Sequence, residues 1–121
     1  MAISVRQCSK EEAIDWLNEP SILKLLPGRF TSLSDEFTTL VMDEKLLVVT
    51  RLHDDGLEIH VACRFRDRAE VKETMRNAIK WLEDRGFTTL WTTAPDSRKG
   101  LTNLLEFLGF QKVKERWVYG I

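Results

Sequence analysis

Cysteine is scarce. Cys8 and Cys63 are the only two in 121 residues, too few for a disulfide framework and without metal-ligand spacing, so both read as reduced, packed thiols. Histidine is equally sparse: His53 and His60 stand seven apart across an expected turn, which leaves no metal constellation. Proline is limited to Pro20, Pro27 and Pro95, each placed where an element would end. No apolar run approaches the roughly 20 residues that span a bilayer, and the first residues lack the apolar stretch of a signal peptide. Neither sign of charge dominates, with 18 basic against 19 acidic residues and a net charge of −1. A dedicated nucleic-acid binder would carry a basic excess. These absences lead to the expectation of a cytosolic protein with no membrane and no nucleic-acid partner.

What is present is a globular composition, 43% apolar and 31% charged, without linker, repeat or low-complexity tract. A chain of this length makes one domain, residues 1–121, with roughly two thirds of its unfolded surface hidden. Ile3-Ser4-Val5-Arg6 alternates at period two and suggests a first strand. Ser9 and Glu12 have the spacing of a capping box, each satisfying a free N–H of the other. The helix they open carries Ala13, Ile14, Trp16 and Leu17 on one face and stops at Pro20, and a second short helix is expected over Ser21–Leu26.

The middle third reads as an antiparallel meander. Thr38–Met42 and Leu46–Leu52 are rich in β-branched and aliphatic residues around the charged trio Asp43-Glu44-Lys45. Asp55-Gly56 signals a hairpin, since glycine tolerates the positive φ of a primed turn. Leu57–Phe65 follows, with Leu57, Ile59, Val61, Cys63 and Phe65 on one face and Glu58, His60, Ala62 and Arg64 on the other. The long helix starts at a cap on Asp67, presents Val71, Met75, Ala78, Ile79 and Leu82 as one stripe, and ends at Gly86. A strand over Phe87–Thr93 precedes a last helix, opened by Asp96 or Ser97, with Leu101, Leu104, Leu105 and Leu108 inward and Gly109 as its stop. Phe110–Tyr119 completes the chain as one strand. The expected class is α/β, a mixed and mostly antiparallel sheet flanked by helices in the order β-α-α-β-β-β-α-β-α-β.

This order resembles the GCN5-related N-acetyltransferase (GNAT) fold. The sequence likeness runs from residue 57 to 110: Leu57-Glu-Ile-His-Val-Ala-Cys-Arg64, the long helix, Trp81-Leu-Glu-Asp-Arg-Gly-Phe87, and Leu104-Leu-Glu-Phe-Leu-Gly-Phe110. The resemblance implies acetyl-CoA as acyl donor, an amine as acceptor and a cofactor wedged between two splayed strands. Its phosphate loop, Gln/Arg-x-x-Gly-x-Gly/Ala, falls on Arg66-Asp-Arg-Ala-Glu-Val71. Arg66 fits, whereas Ala69 and Val71 stand where glycines let backbone and phosphate approach, and Asp67 and Glu70 add negative charge. Leu105 takes the place of the Tyr that protonates the leaving thiolate in many members, and Arg98 that of a frequent Asn. The chain is thus similar to a degenerate member, and it resembles the compact GNAT-like proteins that tailed bacteriophages encode among virion and head-assembly genes. That likeness implies a non-catalytic interaction or assembly component, a homo-oligomer or a virion constituent in an infected host cell.

Glu58 and His60 are the candidates for acid–base work, on one strand face roughly 7 Å apart along the chain. Glu58 falls where several members hold a general base that removes a proton from the attacking amine. The plainer alternative is a solvated hairpin glutamate beside a half-buried sheet histidine. Arg64, Arg66 and Arg68, with Ala69, form the expected phosphate-binding cluster at a helix N-terminus, or else a charge network with Asp67, Glu70 and Glu73. Thr92 and Thr93 express β-propensity or hydrogen-bond a pantetheine arm, and Arg98 joins the cofactor set. Trp16, Trp81, Trp91 and Trp117 read as core, with Trp81 and Trp91 open to a cavity-lining role.

Overall fold

Strand alternation organises the molecule. A computed structural model describes residues 3–20, 32–64 and 67–120, and seven strands in it pair into one sheet. The described elements are β1 (Val5–Gln7), α1 (Lys10–Leu17), β2 (Thr38–Met42), β3 (Leu46–His53), β4 (Gly56–Cys63), α2 (Arg68–Asp84), β5 (Leu90–Thr92), α3 (Lys99–Leu108), β6 (Gln111–Val113) and β7 (Arg116–Tyr119). In space the strands run β1-β2-β3-β4-β5-β7-β6. Only β4 and β5 pair in parallel; the other neighbours are antiparallel. The mixed, mostly antiparallel α/β class expected from the sequence is the class found. The helix expected at Ser21–Leu26 lies outside the described residues, as do Phe65, Arg66 and the side chain of Arg68. No helix among the described residues is long and apolar enough to cross a membrane.

Period two sends alternate residues of β2, β3 and β4 to opposite faces, and each face meets its own helices. Met42, Leu46, Val48, Leu57 and Ile59 pack with the stripe of α2, including Met75, Ile79 and Leu82, and with Leu105 and Leu108 of α3. Val41, Leu47, Val49 and Ala62 pack with Ala13 and Trp16 of α1. Trp16 is fully buried, and its Nε1–H donates to the Ala62 carbonyl at 3.1 Å.

The ends of elements hold most of the differences from expectation. Ser9 Oγ accepts the Glu12 N–H at 3.1 Å, but the Glu12 carboxylate turns to Arg6, at 2.9 and 2.5 Å, rather than back to the cap. A guanidinium fork outcompetes one backbone N–H. The last helix opens at Lys99 with Arg98 as an N-cap that makes no side-chain cap bond; Asp96 instead accepts from Lys112 at 2.6 Å. The single strand expected over Phe110–Tyr119 is a hairpin, β6 and β7, folded at Lys114-Glu115 with Lys114 at φ 59°. No glycine, asparagine or proline announces that turn. The expected Phe87–Thr93 strand shortens to β5 because Phe87 still closes α2, its N–H bonding Leu82 O at 3.1 Å. His53 pairs with Gly56, so the β3–β4 loop is Asp54-Asp55 and Gly56 begins β4. Glycine is required there for the positive φ, +143°, and for a second reason: any Cβ would lie 2.9 Å from the Thr89 carbonyl oxygen.

Candidate functional site

Two pairings hold β4 and β5 together, Leu57 with Leu90 and Glu58 with Trp91. β4 then continues to Cys63 while β5 ends at Thr92, so the parallel strands part and leave the β4 edge beyond Glu58 without a partner from β5. A cleft of about 400 Å³ occupies the gap. Ile59, His60, Val61 and Ala62 line it from β4, and Thr92, Thr93 and Arg98 from the other side. It reaches both faces of the sheet, with Leu17, Phe37 and Val49 towards α1 and Met75, Leu101 and Leu104 between α2 and α3.

At the closed end of the gap stands Glu58, its side chain 8% exposed. The hairpin register sets Arg51 directly opposite it. Arg51 Nε donates to Glu58 Oε1 at 3.0 Å, His53 Nε2 lies 2.8 Å from the same oxygen, and His60 Nε2 lies 2.6 Å from Oε2. Burial pushes the Glu58 carboxyl up, but the hydrogen bonds from His60, His53 and Arg51 outweigh it and hold the group down to about 2. An ionised carboxylate only accepts, so both Nε2 atoms donate to it, which in a neutral imidazole leaves the lone pair on Nδ1. His60, half-exposed at 41%, faces the cleft. Its ring packs edge-on to Phe37 at 6.4 Å, and the Arg51 guanidinium stacks over Phe37 at 4.6 Å.

The geometry thus unites Glu58 with His60, and it sets Thr92, Thr93 and Arg98 on the same cleft. Arg64 goes elsewhere: it donates to Glu19 at 2.8 Å and lies 3.5 Å over the Trp16 ring. Ala69 is exposed in the first turn of α2 and does not line the cleft. Asp67 Oδ1 accepts the Glu70 N–H at 2.9 Å, and Glu70 in turn holds Lys45 at 2.7 Å. Arg51 and His53 were not among the candidates. A two-residue loop at Asp54-Asp55 would have found them, because it places residue 51 opposite 58 and residue 53 diagonal to it on the same face.

No family model matches this sequence, and no curated protein matches it. Solved structures do. The chain is similar to aminoglycoside acetyltransferase AAC(6')-Ib in complex with coenzyme A and kanamycin, with 13% identity, a TM-score of 0.74, and 98% of this chain and 95% of that one covered. It is similar to IAA acetyltransferase from Bacillus cereus ATCC 14579, with 14% identity, a TM-score of 0.67, and 99% and 100% covered. It is also similar to the ribosomal-protein-S18-alanine N-acetyltransferase from Escherichia coli, with 12% identity, a TM-score of 0.68, and 96% and 90% covered. Identity this low speaks for the fold alone, and with the single parallel pair parting beside Glu58 it gives one conclusion: this chain has the fold of the GCN5-related N-acetyltransferases.

Proposed function

We propose that this protein transfers an acyl group from a thioester to a primary amine in the gap between β4 and β5, with His60 accepting the amine proton. The observation that carries the reading is the Glu58–His60 pair, with Glu58 at the last β4–β5 pairing and His60 lining the cleft. When bound, an acyl thioester supplies an electrophilic carbonyl carbon and a thiolate leaving group. The unpaired β4 edge, with Thr92, Thr93 and Arg98 across from it, fits the thioester arm. The α2 N-terminus does not fit a diphosphate. Its Glu70 N–H is already taken by a carboxylate, and Asp67 and Glu70 set negative charge where an anion would lie. Acetyl-CoA is therefore proposed as a weakly held donor.

The chain's own residues do three things. Glu58, fixed as a carboxylate, holds His60 with Nδ1 free to accept a proton, and it stabilises the imidazolium that forms. Arg51 and His53 hold Glu58 in turn. Apolar walls keep water from the thioester. The test is thiol release from acetyl-CoA with a panel of primary amines, comparing the parent with His60→Gln. Loss of the proton acceptor should lower turnover roughly 10²–10⁴-fold while the fold is kept. A parent that releases no thiol with any amine defeats the proposal. The occupied α2 N-terminus favours a second reading, a non-catalytic interaction or assembly component, and that result would turn the search to protein partners.

A further inference from the structure

The walls of the gap describe the acceptor. We infer that it is an amine with a single basic nitrogen on an apolar body, taken up as the free base, and that polycations are not ligands. The inference rests on the acyl-transfer reading only for calling this ligand an acceptor. Towards α1 the cleft is walled by Leu17, Leu33, Phe37, Leu47 and Val49, with His60 at the end of the run. None of the described lining residues is an acid.

Glu58 and Glu36 are already engaged. Both oxygens of Glu58 are taken by Arg51, His53 and His60, and Glu36 holds the other side of Arg51 at 2.9 Å. Among the described lining residues the one formal charge is positive, Arg98. A second ammonium group would therefore be desolvated with no counter-charge, which costs far more than apolar contact returns. A lone amine meets such a cost once rather than for each nitrogen, because an apolar wall disfavours the ammonium form and the single proton goes to water on entry. The free base is also the form that attacks a thioester, and His60 Nδ1 then has one proton to accept when the C–N bond forms and the C–S bond breaks.

Binding tests this apart from catalysis. Calorimetric titration with 2-phenylethylamine, kanamycin and spermidine, without any donor, should give phenylethylamine an affinity at least about tenfold above either polycation. Leu33→Glu places a carboxylate on a half-buried wall position and should reverse that order, whereas Leu33→Gln should weaken phenylethylamine without recruiting the polycations. Equal or tighter binding of a polycation to the parent overturns the inference, as does no phenylethylamine binding up to about 10 mM. If phenylethylamine binds but releases no thiol from acetyl-CoA, the cleft's preference stands and the acyl-transfer reading fails. If kanamycin is acylated in preference, catalysis stands and the inference fails.

Discussion

Replacing Glu58 by Gln removes one charge at nearly constant volume, so it measures what the carboxylate does. In the parent, Arg51 and His53 aim N–H groups at one oxygen and His60 at the other. A Gln side chain offers one carbonyl oxygen and one NH2 group. Turned towards Arg51 and His53 the NH2 meets N–H donors at a site 8% exposed, and turned towards His60 it meets a donor unless that imidazole changes tautomer. Leaving that donor unsatisfied costs about 1–3 kcal/mol. The titration of the group gives a second route to the same size: lowering the carboxyl from 4.5 to about 2, at about 1.4 kcal/mol per unit, amounts to stabilisation on the order of 3 kcal/mol. Because the folded value is depressed, this contribution is complete above about pH 4.5 and is lost as the pH falls towards 2. Urea unfolding followed by tryptophan fluorescence should show Glu58→Gln less stable than the parent by about 2–3 kcal/mol at neutral pH. That gap should narrow through acid as the parent's Glu58 protonates. Glu12, Glu44 and Asp96 are also held low, by Arg6 and Lys112, but they titrate in both proteins and cancel in the difference. A gap that stays constant from neutral pH to about pH 3 would refute the claim that these hydrogen bonds hold Glu58 ionised.

Three further outcomes are expected. Leu82→Ala, at a position 2% exposed in the α2 stripe, should cost about 2–5 kcal/mol in urea unfolding, and a change under about 0.5 kcal/mol would place that stripe in solvent. Gly56→Ala should lower stability by about 1–3 kcal/mol through strain at φ +143° and the clash with Thr89 O; an unchanged unfolding midpoint would mean that β4 and the Thr89 segment are not in close contact. Acetyl-CoA at about 1 mM should stabilise the protein by at most about 1.4 kcal/mol, for a dissociation constant on the order of 0.1–1 mM, and several kcal/mol in a thermal scan would show that the capped α2 N-terminus does hold a diphosphate.

Periodicity made the sheet legible and left the turns obscure. The alternation in Leu57–Cys63 was enough to put Glu58 and His60 on one face, because side-chain direction in a strand depends on parity alone. The β6–β7 hairpin was invisible because Lys114 adopts φ 59° without being glycine or asparagine. Asp43 and Glu44 also adopt positive φ, 54° each, but there the charged trio between two aliphatic runs marked the turn. Arg51 and His53 were out of reach for a related reason. Their place beside Glu58 depends on the hairpin loop being two residues long, and placing the loop on Asp55-Gly56 instead of Asp54-Asp55 would move every cross-strand partner. By contrast, Asp67 as the cap of α2 was readable from its spacing to Glu70, since capping is local.

The gap and the cluster beside it have one structural origin. Glu58 is the last residue of β4 that pairs with β5, so it stands at the vertex where the two strands begin to part. That vertex is pinned from the backbone. Leu57 N–H donates to Thr89 O at 2.9 Å, Gly56 allows the approach, and Gly120 presses on the other side, where a Cβ would collide with Thr88 O. Two glycines far apart in sequence thus clamp the Thr88-Thr89 segment, and the short β5 leaves this clamp with only two residues paired to β4. Beyond it nothing from β5 reaches β4, and the cleft opens. Buried at a fixed vertex, Glu58 would be costly as an ionised group without partners. Arg51, His53 and His60 offset that cost from adjoining strand positions. The arrangement that makes the carboxylate tolerable in the fold is therefore the one that turns His60 Nδ1 away from it, and a change that loosens the vertex should disturb the site without touching it.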